Sequence, residues 1–447
     1  MLRRILGLGF ALAMVFGGMV GVGILRLPGT LAAALGDTHL IVVFWLLGGA
    51  YALLGAVSVS ELAAMLPQAG GFYVYARRAF GNGIGFGVGW LDWINNIATL
   101  AYASITAMTF LATLWPAAAP YERLGAALLI GAFTSLHWAG LSLGSGITRI
   151  ISCAIGLMML IVVVGCFVAS PAAPVSAPPL PGSAASLPLA SLAMASALVT
   201  AFRAVLLTYD GWYAPIYLAE ESTDPARTLP RGMIGGTLLV IVLYLLINVA
   251  FLRVLPLPVL AASPLPAADA ARAIFAHGGS VLVTVISLTT VLSLLNATLL
   301  MTPRVLFAIG RDGFFTAKAA AVSAGGTPRL ALALSSGAAA ALVLSGTFEQ
   351  IIALATVLFL LIYIATYIAV FVLRRREPAA RRPYRAFGFP VTTGIVCLGC
   401  VAVLGAAVVE DPRSAVAAAI LIAACVPVYA WLARRKRRAA ALASEAA

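Results

Sequence analysis

Apolar stretches long enough to cross a lipid bilayer recur along almost the whole chain. A transmembrane helix needs about 20 predominantly apolar residues, and the sequence contains about twelve such stretches. They lie at residues 6–35, 39–66, 83–115, 122–141, 147–169, 191–220, 232–256, 279–309, 329–346, 349–373, 390–409 and 414–432. Only 10% of the 447 residues are charged and 62% are hydrophobic, which excludes an ordinary soluble domain. The sequence therefore predicts an all-α polytopic membrane protein with about twelve transmembrane helices.

Basic residues concentrate in alternate loops between these stretches. If the N-terminus is cytoplasmic, all but six of the 28 lysines and arginines fall on the cytoplasmic side, including clusters at 374–385 and 434–438. Cytoplasmic loops of membrane proteins carry such an excess. We therefore predict a multi-pass protein of the cell (inner or plasma) membrane with cytoplasmic N- and C-termini. The net charge of +13 then needs no nucleic acid partner, and the two clusters are expected to touch anionic membrane lipids.

The cysteines and histidines form no pattern typical of a metal site or of disulfides. The five cysteines fall inside apolar stretches, and the three histidines are far apart. The sequence also lacks the H-E-x-x-H and G-x-S-x-G motifs of hydrolytic enzymes. We therefore predict no cofactor, no metal and no catalytic residue, and a membrane-embedded enzyme is disfavoured.

Two interrupted helices occupy matching positions in two halves of the chain. A stretch rich in proline, alanine and serine at 170–190 separates two sets of five spans. The first span of each set is interrupted, by GGMVGVG at 17–23 and by YDGWY at 209–213. Unwound backbone at membrane depth is tolerated where it lines a cavity, so the pattern favours an inverted-repeat transporter with a site at the midplane. The alternative is that these glycines only allow close helix packing.

The halves divide the chain into segments of one transporter domain, residues 1–447. The first repeat is 1–169, and the inverted second repeat is 191–376. Two additional helices follow at 389–433. Because each half has an odd number of spans, the second half must be inserted in the opposite orientation.

Five motifs, in the expected order, resemble the amino acid–polyamine–organocation (APC) superfamily of permeases. They are GGMVGVGILRLPG at 17–29, ELAAMLPQAGGFYVYARRAFG at 61–81, YDGWYAPIYLAEESTDPARTLP at 209–230, RVLFAIGRDGFF at 304–315 with GTP at 326–328, and RRPYRAFGFP at 381–390. The resemblance is to bacterial L-type amino acid transporters and exchangers. It implies a five-plus-five inverted-repeat (LeuT-type) fold with broken helices 1 and 6.

The resemblance also implies that an amino acid lies between the two broken helices. Its carboxylate would accept hydrogen bonds from the backbone N–H groups of Gly21, Val22, Gly23 and Ile24. The start of a half-helix presents free donors and a positive dipole end there. The amino group would donate to the carbonyls of Met19, Leu207 and Asp210. Gly211 would allow the sixth helix to break, and Tyr209 or Trp212 would gate the bound substrate.

Charged and polar side chains inside the spans are further candidates for binding. Asp92 in the third helix and Asp210 at the sixth-helix break are candidates for substrate binding and proton coupling, although Asp92 alternatively pairs with a neighbouring helix. Asn296 of the eighth helix is a candidate substrate contact. Arg26 and Arg203 either attract an anionic group, pair with one of these aspartates, or extend to the outer interface.

Three glutamates near the cytoplasmic helix ends are expected to form ion pairs. They are Glu61, Glu220 and Glu221, and the basic residues available by sequence are Arg77, Arg78, Arg227 and Arg231.

Two departures from the family pattern narrow the expected mechanism. The fifth helix has no lysine in 149–164 to replace a sodium ion, and Met158 falls near that position, which favours sodium independence. The loop between the third and fourth helices has no cysteine, so no disulfide-linked heavy chain is expected.

We therefore predict a secondary active transporter of amino acids or related amines. The resemblance implies that it rocks helices 1, 2, 6 and 7 against 3, 4, 8 and 9, and it would act as an exchanger or a proton symporter. An amino acid sensor that binds without net transport is the alternative.

Overall fold

The computed structural model describes residues 2–170, 184–186, 191–275, 277–345 and 348–445. Within these ranges the chain is α-helical and has no strand beyond one isolated bridge between Leu6 and Ser222. The helices are Leu8–Met19 (α1), Gly23–Leu35 (α2), Thr38–Met65 (α3), Phe72–Phe80 (α4), Asn82–Leu114 (α5), Glu122–Ala139 (α6), Leu141–Val168 (α7), Leu192–Thr208 (α8), Pro225–Val254 (α9), Leu257–Ala262 (α10), Pro266–Phe275 (α11), His277–Arg311 (α12), Arg329–Ser345 (α13), Phe348–Arg376 (α14), Val391–Glu410 (α15) and Pro412–Glu445 (α16). The all-α prediction is confirmed.

Most of the predicted spans correspond to helices that can cross a membrane. In the described part of the chain, 8 helices are long and apolar enough, and the bent pair α1 and α2 raises the number to 9. The predicted spans at 122–141, 191–220 and 329–346 correspond to α6, α8 and α13, which have 18, 17 and 17 residues. The number of twelve and the division into repeats stay predictions, and the linker at 170–190 lies largely outside the described residues.

The first span is broken where the glycine cluster predicts it. Helix α1 ends at Met19, helix α2 begins at Gly23, and their axes are bent by 46°. Val20, which follows α1, has an extended backbone with ψ 96°. The sixth span breaks in the same way, because α8 ends at Thr208 and a turn at 209–213 leads into a short 3-10 helix, Ala214–Glu221.

The two breaks touch each other through glycine. Gly211 has φ +109°, a conformation that glycine adopts readily and other residues avoid. A Cβ atom at Gly211 would lie 2.4 Å from the carbonyl oxygen of Gly18, and one at Gly18 would lie 3.2 Å from the carbonyl oxygen of Gly211. Glycine is therefore required at position 211, and a side chain at position 18 would be tightly packed against it.

The helices around the breaks form two packed groups. Helices α1 and α3 pack mainly against α9, and α2 packs against α8. Helices α5, α6, α12 and α13 pack together and enclose a separate apolar cluster that includes Leu100, Met108, Ile130, Leu299 and Val343. The boundary between these groups is where the broken spans lie.

Three short helices in the loops were not predicted from hydropathy. Helix α4 has 9 residues and includes Arg77 and Arg78, and α10 and α11 have 6 and 10 residues. They are too short to span a bilayer, so a search for apolar stretches passes over them. Helix α4 begins after two glycines with positive φ, and a Cβ at Gly70 would lie 2.4 Å from Ala308.

The glutamates near the predicted cytoplasmic ends form ion pairs, but the predicted partners were wrong. Glu221 and Arg304 form a fully buried pair at 3.0 Å. The other pairs are Glu61 with Arg374 and Arg382, at 2.5 and 3.2 Å, and Glu220 with Arg311, at 2.8 Å. All four arginines follow α9 in the chain, and packing brings them against the end of α3 and the segment after the sixth-span break. Sequence proximity cannot indicate such contacts.

Candidate substrate site

A cavity of about 370 Å³ lies between the two broken spans. Its wall is formed by the break segments 18–23 and 207–214 and by single faces of α5, α12 and α14. Among the lining residues that the structure describes, Asp210 is the only one with a charged side chain. The cavity therefore combines exposed backbone with a mostly neutral wall.

The first break supplies hydrogen-bond donors to this cavity. Gly21, Val22 and Gly23 all line it, and Gly23 begins α2. The first N–H groups of a helix have no carbonyl partner inside the helix, and the helix dipole makes this end positive. An anionic group in the cavity would meet these donors directly.

The break also presents carbonyl oxygens, and one of them already accepts a hydrogen bond. Tyr244 of α9 donates from its hydroxyl to the carbonyl oxygen of Met19 at 2.7 Å, and the Thr208 carbonyl lies 3.3 Å from the same hydroxyl. A carbonyl oxygen has two lone pairs, so the Met19 carbonyl retains one acceptor position. Met19, Leu207 and Thr208 all line the cavity.

The Asp210 carboxylate is held by an aromatic cluster on α14. The hydroxyl of Tyr363 donates to Asp210 Oδ1 at 2.7 Å. The Tyr363 ring stacks on Trp212 with centroids 5.5 Å apart and contacts Phe359, with centroids 4.1 Å apart. Asp210 thus connects the turn of the sixth span to α14, and it also lines the cavity.

Asp92 is buried behind the wall rather than in it. Its Oδ1 accepts hydrogen bonds from the Tyr217 hydroxyl at 2.7 Å and from Asn96 Nδ2 at 3.0 Å. Asn96 lines the cavity and Asp92 does not. Asp92 therefore lies beside Asn96, whose Nδ2 also donates to the Asp92 backbone carbonyl, and against the segment that follows the sixth-helix break.

The other predicted site residues lie away from the cavity wall. Ile24 is fully buried in α2, and Asn296 points from α12 toward α7, where it donates to Thr148 at 2.8 Å. Tyr209 packs against Trp45 and Tyr244, with ring centroids 5.7 and 4.9 Å apart. Trp212 faces α14. Neither predicted gating ring, Tyr209 nor Trp212, lines the cavity in this conformation, whereas Gly211 does.

The two outer arginines pair with neither aspartate. Arg203 forms an ion pair with Glu410 at the end of α15, and Arg26 is exposed. Neither arginine is among the residues that line the cavity.

Several lining residues were missed from the sequence. On α5 they are Asn95, Asn96, Thr99 and Tyr102, and on the later helices they are Met301, Thr356 and Phe359. The α5 residues carried a usable signal, because polar residues at positions i, i+4 and i+7 of an apolar helix share one face. The later ones carried none, since a single threonine or phenylalanine in a membrane helix is unremarkable.

Sequence comparisons agree with this architecture. The profile of the amino acid permease family matches residues 6–433. The chain is 26% identical over 443 residues to the serine/threonine exchanger SteT of Bacillus subtilis, covering 97% of this chain and 98% of the relative. It is 27% identical over 397 residues to the mouse Asc-type amino acid transporter 1, covering 86% and 73% of the two chains.

A third relative matches a shorter region. It is the mouse b(0,+)-type amino acid transporter 1, 27% identical over 262 residues, covering 57% of this chain and 52% of the relative. The family profile extends over nearly the whole sequence, and these relatives are named as transporters or exchangers rather than enzymes. The chain therefore belongs to the amino acid permease family, and it is a multi-pass membrane transporter.

Proposed function

We propose that this amino acid permease carries small neutral amino acids with polar side chains, bound in the cavity between the two breaks. The proposal rests on two features of the cavity: the backbone of Gly21–Gly23 lines it at the start of α2, and Asp210 is the only charged residue among its described lining residues. A zwitterion matches such a site, because its α-groups are recognised by backbone and its side chain meets a neutral surface.

The α-groups have assigned positions in this proposal. The carboxylate accepts from the N–H groups of Gly21, Val22, Gly23 and Ile24 at the start of α2. The amino group donates to the carbonyls of Met19, Leu207 and Asp210. Since Tyr244 already occupies one lone pair of the Met19 carbonyl, substrate binding either shares that oxygen or displaces the hydroxyl.

The substrate side chain is assigned to the polar face of α5. Asn95, Asn96 and Thr99 offer amide and hydroxyl groups there, and Thr298 and Thr356 add hydroxyls from α12 and α14. A site built to hydrogen-bond a hydroxyl discriminates strongly against an analogue that lacks it. SteT is named a serine/threonine exchanger, which supports the same substrate class for this chain.

Transport in this proposal is alternating access without sodium. Helices α1, α2, α3, α8 and α9 rock against α5, α6, α12 and α13, with Gly211 as the hinge and Tyr209 and Trp212 as the moving gate. The named exchange activity of SteT supports exchange. In a proton-coupled mode, Asp210 or Asp92 is the residue that carries the proton.

The proposed topology places both termini in the cytoplasm, and neither a cofactor nor a disulfide-linked heavy chain takes part in transport.

Uptake into proteoliposomes tests the proposal. Labelled serine, alanine, lysine and glutamate are offered with and without internal unlabelled serine, and with and without an inward proton gradient at fixed sodium. We expect serine uptake that depends on internal serine, with little uptake of lysine or glutamate. Uptake driven by the proton gradient alone would establish symport instead, and binding of serine without any uptake would favour a sensor.

A substitution at the first break tests the site itself. A Cβ at Gly23 would lie 3.2 Å from Thr208, so Gly23→Leu fills the space between the two breaks. We expect this variant to fold and to lose serine uptake. The matched control is Gly146→Leu in α7, where a Cβ meets nothing within 4 Å. Wild-type uptake by a folded Gly23→Leu protein would contradict the assigned carboxylate site.

A further inference from the structure

A second cavity, of about 440 Å³, opens on the membrane-facing side of α1, between α7 and α9. We call it the α1 crevice. Its lining residues are Gly9, Leu12, Ala13, Phe16, Ser152, Cys153, Gly156, Leu160, Leu239, Val242, Leu243 and Leu246. The single hydroxyl among them, on Ser152, is already used in a hydrogen bond to the Ala13 carbonyl. The crevice is therefore apolar.

Two exposed arginines lie beyond one end of the crevice, on the two helices that form its walls with α1. On α7, Arg149 precedes Cys153, Gly156 and Leu160 at a spacing that keeps all four on one helix face. On α9, Arg231 lies about two turns before Leu239, the first residue of that helix that lines the crevice. Within the part of the chain that the structure describes, neither arginine forms an ion pair or hydrogen bond.

Contacts to α1 place the two arginines at the same level. Ser152 bonds to Ala13, so Arg149, about one turn earlier, lies level with the turn of α1 near Gly9. A Cβ at Gly232 would lie 2.5 Å from the Cβ of Ala11, so Arg231 lies level with the same turn. The two exposed residues thus lie at one level, near the end of the crevice on the predicted cytoplasmic side.

We propose that the α1 crevice binds one acyl chain of an anionic phospholipid, whose phosphate is held by Arg149 and Arg231. An apolar crevice with two exposed arginines near one end matches a lipid tail joined to a phosphate, because guanidinium groups bind phosphate oxygens in a bidentate manner. Basic residues between helices near the cytoplasmic face attract anionic lipids. The tail of a zwitterionic phospholipid also fits the crevice, but the cation of its headgroup competes with the two arginines for the phosphate, so it should bind more weakly.

A lipid bound in the α1 crevice would restrict the movement of α1. Helix α1 separates the crevice from the substrate cavity, since Phe16 and Leu12 line the crevice and Met19 lines the cavity. A chain bound behind α1 occupies the space into which this half-helix would swing toward the lipid. The bound lipid therefore stabilises the present position of α1.

Cys153 provides a direct readout, because it is an exposed thiol on the crevice wall. The full chain is placed in nanodiscs containing phosphatidylcholine with increasing phosphatidylglycerol, and the rate of Cys153 modification by N-ethylmaleimide is measured by peptide mass spectrometry. We expect phosphatidylglycerol to slow the modification. In the variant Arg149→Gln/Arg231→Gln, the phosphatidylglycerol fraction for half-maximal protection should rise by about thirtyfold or protection should be lost.

Two controls separate a bound lipid from a general effect of membrane charge. Arg375→Gln/Arg434→Gln removes two exposed arginines elsewhere and should leave protection unchanged. Gly9→Leu adds a side chain at a position where a Cβ meets nothing within 4 Å, and this side chain fills the mouth of the crevice. The rate of Cys153 modification in this variant should then be the same with and without phosphatidylglycerol. Gly146→Leu, which lies outside the crevice, should keep the protection of Cys153 by phosphatidylglycerol. Equal wild-type rates in the two lipids, or equal effects of the two arginine pairs, would overturn the proposal.

Discussion

The hydroxyl of Tyr244 donates a hydrogen bond to the carbonyl oxygen of Met19, at the point where α1 ends. Tyr244 is fully buried in α9, and the same hydroxyl lies 3.3 Å from the carbonyl of Thr208, where α8 ends. One side chain thus connects the ends of both broken spans. The unwound backbone, which is costly at membrane depth, is stabilised by a neighbouring helix when no substrate is bound.

The first prediction concerns this hydroxyl. In Tyr244→Phe the Met19 carbonyl loses its donor, and leaving a buried acceptor unpaired costs about 1–3 kcal/mol. We expect a lower thermal unfolding temperature without substrate and a larger increase on adding serine, because the substrate amino group supplies the missing donor. Tyr75→Phe is the control, since the buried Tyr75 hydroxyl has no partner to lose. Equal serine-induced shifts in the wild type and Tyr244→Phe would argue against an amino group at Met19.

The second prediction concerns recognition of the substrate side chain. Asn96→Ala removes an amide from the cavity wall, and we expect serine to bind roughly tenfold more weakly while alanine is little affected. The comparison of the two amino acids in competition uptake isolates the side chain from the α-groups. Thr109→Ala, in the same helix and outside the cavity, is the control. A parallel loss for serine and alanine would assign Asn96 a structural role.

The third prediction concerns proton coupling. Asp210→Asn removes the charge from the cavity wall but retains an acceptor for Tyr363. If uptake responds to a proton gradient, we expect this variant to lose that response and to keep serine exchange. Asp92→Asn serves as the comparison, because Asp92 lies behind the wall. A gradient response that survives in Asp210→Asn and disappears in Asp92→Asn would move the coupling role to Asp92.

The fourth prediction concerns the buried pair of Glu221 and Arg304, which are 0% and 2% exposed. Removing one partner leaves an unpaired buried charge, so Glu221→Gln should destabilise the protein by about 3–5 kcal/mol. The exposed pair of Asp224 and Arg227 is the control, and Asp224→Asn should cost at most about 1 kcal/mol. Thermal unfolding in detergent compares the two variants. Similar unfolding temperatures would contradict the structural importance of the buried pair.

The fifth prediction concerns the crossing of the two breaks. Gly211→Ala places a Cβ 2.4 Å from the Gly18 carbonyl oxygen, so we expect loss of transport and of thermal stability. Gly81 also has positive φ, +86°, but a Cβ there meets nothing within 4 Å. Gly81→Ala therefore introduces the backbone strain alone, and its effect should be clearly smaller. Equal effects at both positions would show that strain, not contact, makes glycine necessary.

The backbone part of the site was accessible from the sequence, and the side-chain part was not. Glycines at 17–23 and the YDGWY motif at 209–213 indicate both breaks, because glycine weakens a helix locally. Which side chains face the cavity depends on how each helix is rotated. Asn296 illustrates this, since it points toward Thr148, whereas its neighbour Thr298 lines the cavity.

The sequence by itself determined the all-α membrane architecture, the positions of the two breaks and the family, because these depend on apolar length, local glycine content and motif order. Tertiary structure alone decided that Arg304 pairs with Glu221, that Tyr244 connects Met19 to Thr208, and that Asp92 lies behind Asn96. These contacts join residues far apart in the chain. They are set by helix packing and rotation, which short-range sequence patterns do not encode.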